Sequence, residues 1–528
     1  MKAEFTFEQL ETCKYILFWG AGYHSQEVLR FYQPFFEKRQ LQIVDKNKAG
    51  SIIEGYEVLS AGDIDYTTID LTAIMTAIHH AEVEDSLVRQ YGYRGPVIGL
   101  YAFRRLLLRL DSYNECKCHL NDFIRHMESG CASYSYDYIF QEQYSQYKEI
   151  RLFAFWSSSI GESIRYLTAY YDAVFMHRKD DEYDLLVPYI KGNDFANGRF
   201  IEIVSRTVPM VTYQNCHFWK YLLEKYPERF HLESYNDYNG ILVDAYNQFD
   251  ERIPQGFFCD RKFPVISYME DEKFAIREKL EEMGIDREYV CIFARDNAYL
   301  QHQYGQAYAF NDIRDMDISS FQSAVEYLQT ENIKTVRMGK HVKYRIDFAG
   351  CIDYASKYHS DLMDIYLCGN CKFYAGSLSG IVEFAQLQGI PVLILGLVQL
   401  GIYNSIPYRS SDIYVPKKIY DKRNGRFLTF LEMWDAEMDA KDKLSQYCKD
   451  HQLEFIELAE SEIRAAVIEM NERIDGTYLE DAYEKDLQRK YHELLEHWIE
   501  KNGYRYFYFQ HINISGSFIK KNAFLLET

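Results

Sequence analysis

Three times in this chain a short apolar run gives way to a turn of glycines and hydroxyl residues, and each turn opens a helical pattern. The runs are Tyr15-Ile-Leu-Phe-Trp19, Arg151-Leu-Phe-Ala-Phe-Trp156 and Cys371-Lys-Phe-Tyr-Ala375. Their turns are Gly20-Ala-Gly22, Ser157-Ser-Ser-Ile-Gly161-Glu162 and Gly376-Ser-Leu-Ser-Gly380. A strand that exits through small residues into a helix is half of a βαβ unit, so the chain reads as α/β with parallel sheets. At 528 residues it is too long for one core, and two to four domains are expected.

The first block, 1–110, reads as a small Rossmann-like module of nucleotide-binding type. Its strands are 15–19, Leu41–Val44 ending at Asp45, Leu71–Ile78 and Pro96–Leu100, with helices through Tyr32 and over Val83–Tyr91. A Tyr-rich helical connector, 111–150, leads into a second Rossmann-like block, 151–265. There the pattern predicts a helix through Tyr171, strands at Ala173–Met176, Leu185–Tyr189 and Phe200–Val204, and a helix over Phe218–Tyr226. The third block, 266–425, opens with a helix over Glu270–Met283. Its predicted strands are Tyr289–Ala294, running into Arg295-Asp296, then Lys334–Met338, Cys371–Ala375 and Pro391–Leu395, with a helix capped by Ser319 between the first two. The remainder, 426–528, reads as acidic helices near Met433–Cys448, Ser461–Arg473 and Leu479–Lys501.

Apolar residues make up 47% and charged residues 26%, the balance of a globular chain with a large core. With 47 Tyr and 34 Phe, its clefts should be rich in amphipathic rings, which suit ligands with hydroxyls and flat faces. A net charge of -20 repels phosphate backbones, so nucleic acid is not an expected partner. Met1–Lys14 carries Glu4, Glu8 and Glu11, unlike a signal peptide, and the nearly uncharged run Gly389–Tyr408 holds two prolines, unlike a membrane span. Cytoplasmic residence is expected, and 11 scattered cysteines fit reduced thiols.

The turns carry the chemistry. Gly20 and Gly22, with Ser25 where a third glycine would stand and Asp45 at the end of the next strand, form a partial dinucleotide fingerprint: glycines admit a pyrophosphate to a helix start and the acid binds a ribose diol. A nucleotide or NAD(P) is the ligand this would take, and an emptied scaffold is the competing reading. Glu162 sits where an open α/β sheet places ligands and could act as general base, or serve as an ordinary first-turn acid. In the third turn, Gly376, Ser377, Ser379 and Gly380 offer small residues, hydroxyls and free amides to a diphosphate, and Arg337, Gly339 and Lys340 end a neighbouring strand with two cations. Cys368 with Cys371, and Cys116 with Cys118, have metal-like spacing without a second pair, so structural thiols are expected. His79-His80, Asp180-Asp181-Glu182 and Asp315 with Asp317 read as turns, and no metal ligand is assigned.

From about Tyr289 to Leu395 the chain resembles an uncharacterised bacterial family of glycosyltransferases similar to two-domain GT-B enzymes. The residues that carry the resemblance are Arg295-Asp296, Arg314-Asp-Met-Asp317-Ile318, Val336-Arg337-Met338-Gly339, Ile352-Asp353-Tyr354-Ala355, Asp361-Leu-Met-Asp364-Ile365-Tyr366-Leu367, Cys371-Lys-Phe-Tyr374 with its glycine turn, and Ser515-Gly-Ser517-Phe518-Ile519. The resemblance implies two facing Rossmann-like domains with a helical tail, the third block holding a nucleotide-sugar co-substrate and the second a glycan, lipid-linked or protein acceptor. Arg295 and Arg314 would then hold the acceptor or assist the leaving group, with Glu162 as base, and no metal or other cofactor is required. Two other classes fit less of the pattern: a nucleotide-dependent sugar oxidoreductase or epimerase centred on Gly20–Gly22, and an inert carbohydrate-binding scaffold.

Overall fold

The computed structural model describes residues 5–75, 80–100, 103, 106–107, 136–173, 181–189, 195–212, 215–235, 266–305, 312–398, 411–440, 444–502 and 512–527. The chain divides into two compact units. One comprises Met1–Phe155, Ala169–Tyr189 and Val208–Gln248, the other Trp156–Thr168, Ile190–Thr207 and Phe249–Thr528.

In the first unit, strands β1 (Tyr15–Trp19), β2 (Gln40–Val44), β3 (Ile52–Ile53), β4 (Tyr56–Leu59), β5 (Leu71–Ile74) and β6 (Val97–Gly99) form one sheet in the order β3-β4-β2-β1-β5-β6. All its pairs are parallel except the β3–β4 hairpin. The two-residue period of a strand divides β1 between two cores: Ile16 and Phe18 join Phe36 and Phe103 on one face, while Leu17 joins Val44, Leu87 and Tyr93 on the other. The same unit holds a three-stranded sheet ordered β8-β7-β9, from β7 (Glu149–Trp156), β8 (Glu182–Tyr189) and β9 (Phe230–Tyr235), with β7 and β9 parallel.

The second unit is built on a seven-stranded parallel sheet. Its strands are β10 (Tyr289–Phe293), β11 (Lys334–Arg337), β12 (Cys351–Ile352), β13 (Tyr374–Gly376), β14 (Val392–Leu397), β15 (Ile413–Pro416) and, after β16 (Lys418–Asp421), β17 (Arg426–Phe427) and β18 (Leu453–Ile456), β19 (Asn513–Ile514). The order is β12-β11-β10-β13-β14-β15-β19, and β16, β17 and β18 make a small antiparallel sheet. Every residue of β13, β14 and β15 is buried, as expected of strands covered on both faces.

Two local expectations change. Phe200–Val204 is not a strand: it lies in the helix Gly198–Val204, whose cap Asn197 accepts from the Phe200 amide at 2.8 Å. Its four apolar side chains are all buried while Arg199 and Glu202 keep a partly exposed edge; within Phe200–Val204 only Glu202 breaks the apolar run, too little to tell a short helix from a core strand. Asp317 rather than Ser319 is the capping side chain: its carboxylate accepts from the Ser319 amide at 2.9 Å and opens the 3-10 turn Ile318–Phe321, which leads into the helix Gln322–Thr330. Ala173 ends the helix Ile160–Ala173, and the rest of the strand expected there lies outside the described residues, as do Cys116, Cys118, His79 and Asp180. No described helix is long and apolar enough to cross a membrane.

Candidate functional site

Strands β10 and β13 lie side by side, yet the chain leaves β10 for β11 on one flank and leaves β13 for β14 on the other. That is a topological switch point, and the crevice outside the carboxyl ends of two such strands is where open α/β sheets bind ligands. Here β10 exits into Ala294-Arg295-Asp296 and β13 exits into Ser377-Leu378-Ser379-Gly380.

The two exits are tied together. Ser377 is buried, donates its amide to the Phe293 carbonyl at 3.0 Å and accepts the Arg295 amide on its Oγ at 2.6 Å. Gly376 is required by contact: a Cβ there would come within 2.2 Å of the Phe293 carbonyl oxygen. Arg314 donates from Nη2 to the Leu378 carbonyl at 2.8 Å, bringing a cation to the turn. Leu378, Ser379 and Gly380 are partly exposed, and no described acceptor takes their amides. The helix that follows, Val382–Leu387, is one and a half turns long, so the local amides rather than a long macrodipole are what the turn offers an anion.

Arg295 is itself buried and ion-paired with Asp315. Burial pulls its guanidinium down against the opposing pull of Asp315, Asp312 and Asp296. Burial also pushes the Asp315 carboxyl up to about 6, more than Arg295 lowers it. The Asp315 carbonyl in turn accepts from Lys417 Nζ at 2.7 Å. Glu162 lies in the first turn of Ile160–Ala173, directly after Gly161, and Gly161 packs on the turn: a Cβ on Gly380 would stand 2.7 Å from the Gly161 nitrogen. Thus Glu162, Arg295, Arg314, Ser377, Ser379 and Gly380 converge on one region.

The β11 exit does something else. Arg337, expected at donor phosphates, is 2% exposed and engaged by Asp353 at 3.1 Å and by the Tyr344 carbonyl at 2.6 Å. Gly339 has a φ of +144, and a Cβ there would meet Val342 at 2.8 Å. Lys340 donates to the Ala196 carbonyl and to Asp361, both at 3.1 Å. Asp361 also accepts the Gly198 amide at 2.8 Å, so this cation fastens the segment before Gly198 to the sheet. Sequence reading quoted Asp296, Asp353 and Asp361, the acids that hold these exits, among the residues that carry the resemblance and gave them no role at the site.

His359, Asp361 and Asp364 bring three ligand atoms within 4.8 Å of one another. Each has protein partners: Asp364 takes Tyr354 Oη at 2.8 Å and His359 at 3.1 Å, and Lys340 stands on Asp361. Burial raises the Asp364 carboxyl. Of the other acids, Asp317 is the cap described above and Glu182 pairs with Arg151 at 3.0 Å.

In the first unit, Gly20 has a φ of +118 and follows β1. Asp45 accepts the Ala21 amide at 2.9 Å and the Asn47 amide at 2.8 Å, and Lys48 donates to the Ala21 carbonyl at 2.9 Å. Ser25 Oγ donates to the Gly20 carbonyl at 2.5 Å, and Gly22 borders open space.

No family model matches this chain, and no curated protein does. Among solved structures it is similar to the iron-containing dodecameric glycosyltransferase TibC of enterotoxigenic E. coli, at 11% identity over 62% of this chain and 77% of that one, with a TM-score of 0.36. A glycosyl transferase family 9 protein of Veillonella parvula matches at 12% identity over 62% and 97%, TM-score 0.35. The ADP-heptose lipopolysaccharide heptosyltransferase II of E. coli matches at 12% identity over 47% and 84%, TM-score 0.32.

Proposed function

We propose that the chain is a glycosyltransferase that moves a sugar from a nucleotide-sugar to a hydroxyl acceptor in glycan or glycoconjugate assembly. The observation that carries this reading is the β13 exit: at a switch point, the amides of Leu378, Ser379 and Gly380 have no described acceptor, and Arg314 fixes the same turn. Amides and a cation at one point suit a diphosphate, whose charge grows as the sugar departs. In this reading Ser379 and Gly380 line the phosphates, Ser377 and Gly376 shape the turn, and Arg314 offsets the leaving charge. Arg295, through Asp315, is a positioning residue. Glu162, beside Gly161, takes the proton of the attacking hydroxyl if the reaction inverts. Arg337, Gly339 and Lys340 serve the loops around the site rather than the phosphates.

The reaction is proposed to need no divalent ion, because amides and Arg314 supply what a cation would. The test is a thermal-shift screen of nucleotide-sugars, free nucleotides and NAD(P), followed by transfer or donor hydrolysis in excess EDTA with and without manganese. A ligand at 100 times its dissociation constant should add about 2.7 kcal/mol of stability. Stabilisation by nucleotide-sugars that Ser379→Ala weakens is the expected result; stabilisation by NAD(P) alone would move the site to Gly20–Gly22. Activity lost in EDTA and restored by manganese would overturn the metal-independent part.

A further inference from the structure

The segment that leaves β11 reads Lys340-His-Val-Lys-Tyr-Arg345, four basic residues within six positions of a chain with 79 acids against 59 Lys plus Arg. Its backbone is pinned from beneath. The Lys343 amide donates to Asp296 Oδ2 at 3.0 Å, at the β10 exit; Arg337 holds the Tyr344 carbonyl at 2.6 Å; and the Ile346 amide donates to Asp353 Oδ2 at 3.1 Å. The Val342 side chain fills the space that a Cβ on Gly339 would need.

What this frame presents to solvent is a ring between two cations. Lys343, Tyr344 and Arg345 are all exposed, Tyr344 by 71%. Among the described residues neither Lys343 nor Arg345 makes an ion pair within 4.0 Å, whereas Lys334, Lys340, Lys372, Lys417 and Lys418 all do. No described residue takes a side-chain hydrogen bond or ion pair from Lys343, Tyr344 or Arg345, and Lys343 acts on the Asp315 carboxyl only through space, lowering it. The arrangement suits an external ligand with a flat apolar face and negative charge: rings stack on sugars, and a charge-assisted hydrogen bond is roughly twice as strong as a neutral one. β11 lies two strands from β13, about 10 Å at the spacing of a sheet. That offset sets this loop and the Ser379 turn on the two flanks of the β10 exit.

We propose that residues 341–345 recognise the acceptor, and that the acceptor is an anionic saccharide carrying a carboxylate or phosphate on a sugar ring. Tyr344 stacks on the ring, and Lys343 and Arg345 take the anion. The inference rests on the glycosyltransferase reading for the word acceptor, and its test is separate from that of the donor site. Full-length protein is titrated calorimetrically with trigalacturonate, glucose 6-phosphate and neutral maltotriose, at low and high salt.

A charged saccharide should bind at least about tenfold more tightly than maltotriose, and salt should weaken it. Trigalacturonate and glucose 6-phosphate tell a carboxylate ligand from a phosphate one. The double variant Lys343→Gln/Arg345→Gln, and separately Tyr344→Ala, should each lose about tenfold in that affinity while the thermal shift caused by nucleotide-sugars stays unchanged. These side chains are exposed, so the variants should fold. Equal binding of the neutral sugar, no binding of either charged one, or variants that bind as the native chain does would each overturn the proposal. Failure of every nucleotide-sugar to stabilise the native chain would instead overturn the donor reading, whatever the saccharides do.

Discussion

Replacing Arg337 separates a role in holding the fold from one in binding phosphate. The guanidinium and the Asp353 carboxylate are 2% and 1% exposed and meet at 3.1 Å, and Asp353 also takes the Ile346 amide. Arg337→Met removes the cation and leaves a carboxylate in a dry setting, where the loss of one partner of a buried pair costs about 3–5 kcal/mol. At roughly 2–4 °C per kcal/mol for a large domain, the melting temperature should fall by roughly 6–20 °C. Near-ultraviolet circular dichroism during heating measures this. The double variant Arg337→Met/Asp353→Leu should recover much of the loss, because it removes the stranded charge as well. The thermal shift caused by nucleotide-sugars should persist in whatever fraction stays folded. An Arg337→Met protein that melts within about 1 kcal/mol of the native chain but no longer responds to nucleotide-sugars would refute the assignment and return Arg337 to the phosphates.

Three further outcomes are expected. Gly380→Ala should destabilise by about 1–3 kcal/mol, because its Cβ would stand 2.7 Å from the Gly161 nitrogen; a variant as stable as the native chain would mean that the two turns do not pack this way. The Asp315 carboxyl, raised from 3.8 to about 6, holds its proton more tightly in the folded state, so its contribution to stability is fully present below about pH 3.8 and is lost as pH rises through about 6. The span is about 3 kcal/mol, and Asp315→Asn should flatten that part of the stability profile; an unchanged slope would remove Asp315 as its source. Cys291, Cys368 and Cys371 are buried and their thiols raised by burial where a shift is resolved, so they should resist a thiol reagent until the unit unfolds; rapid labelling of the native chain would contradict their burial.

Much of the core was legible because parallel strands covered on both faces leave near-continuous apolar runs. β1 spans Tyr15–Trp19, as the pattern placed it, and Tyr289–Phe293 and Val392–Leu397 fall within a residue or two of their predicted runs. Short pieces were not legible: β12 and β19 are two residues each, and β19 supplies the outer strand of the main sheet from a region read as largely helical. Two residues carry no periodicity, and their pairing is fixed by distant partners. At the site, the β13 turn could be found because glycine and serine after a strand are local features. The fate of Arg337 could not, since Asp353 lies 16 positions away and whether the pair is buried depends on the loop folded over it.

The glycine turns show why a loop sequence alone cannot be equated with an anion site. The amide of Ala21, between Gly20 and Gly22, is bonded to Asp45. At Ser515-Gly516-Ser517 the chain's own Glu469 accepts the Ser515 hydroxyl at 2.7 Å and the Gly516 amide at 2.9 Å. At Gly161, Glu383 Oε1 lies 2.8 Å from where a Cβ would be. A turn that exposes amides attracts a carboxylate as readily as a phosphate, and a carboxylate of the same chain competes at the effective concentration of a tethered group. A diphosphate entering at Gly20–Gly22 would have to displace Asp45 and then lie beside its charge. At Leu378–Gly380 no described carboxylate takes the amides and the Arg314 guanidinium holds the Leu378 carbonyl, so an incoming anion has no bonded carboxylate to displace there, with the Glu383 carboxylate one step away at Gly161. Similar turns thus differ in what the rest of the chain bonds to them: described carboxylates take the amides of Ala21 and Gly516, and none takes those of Leu378–Gly380.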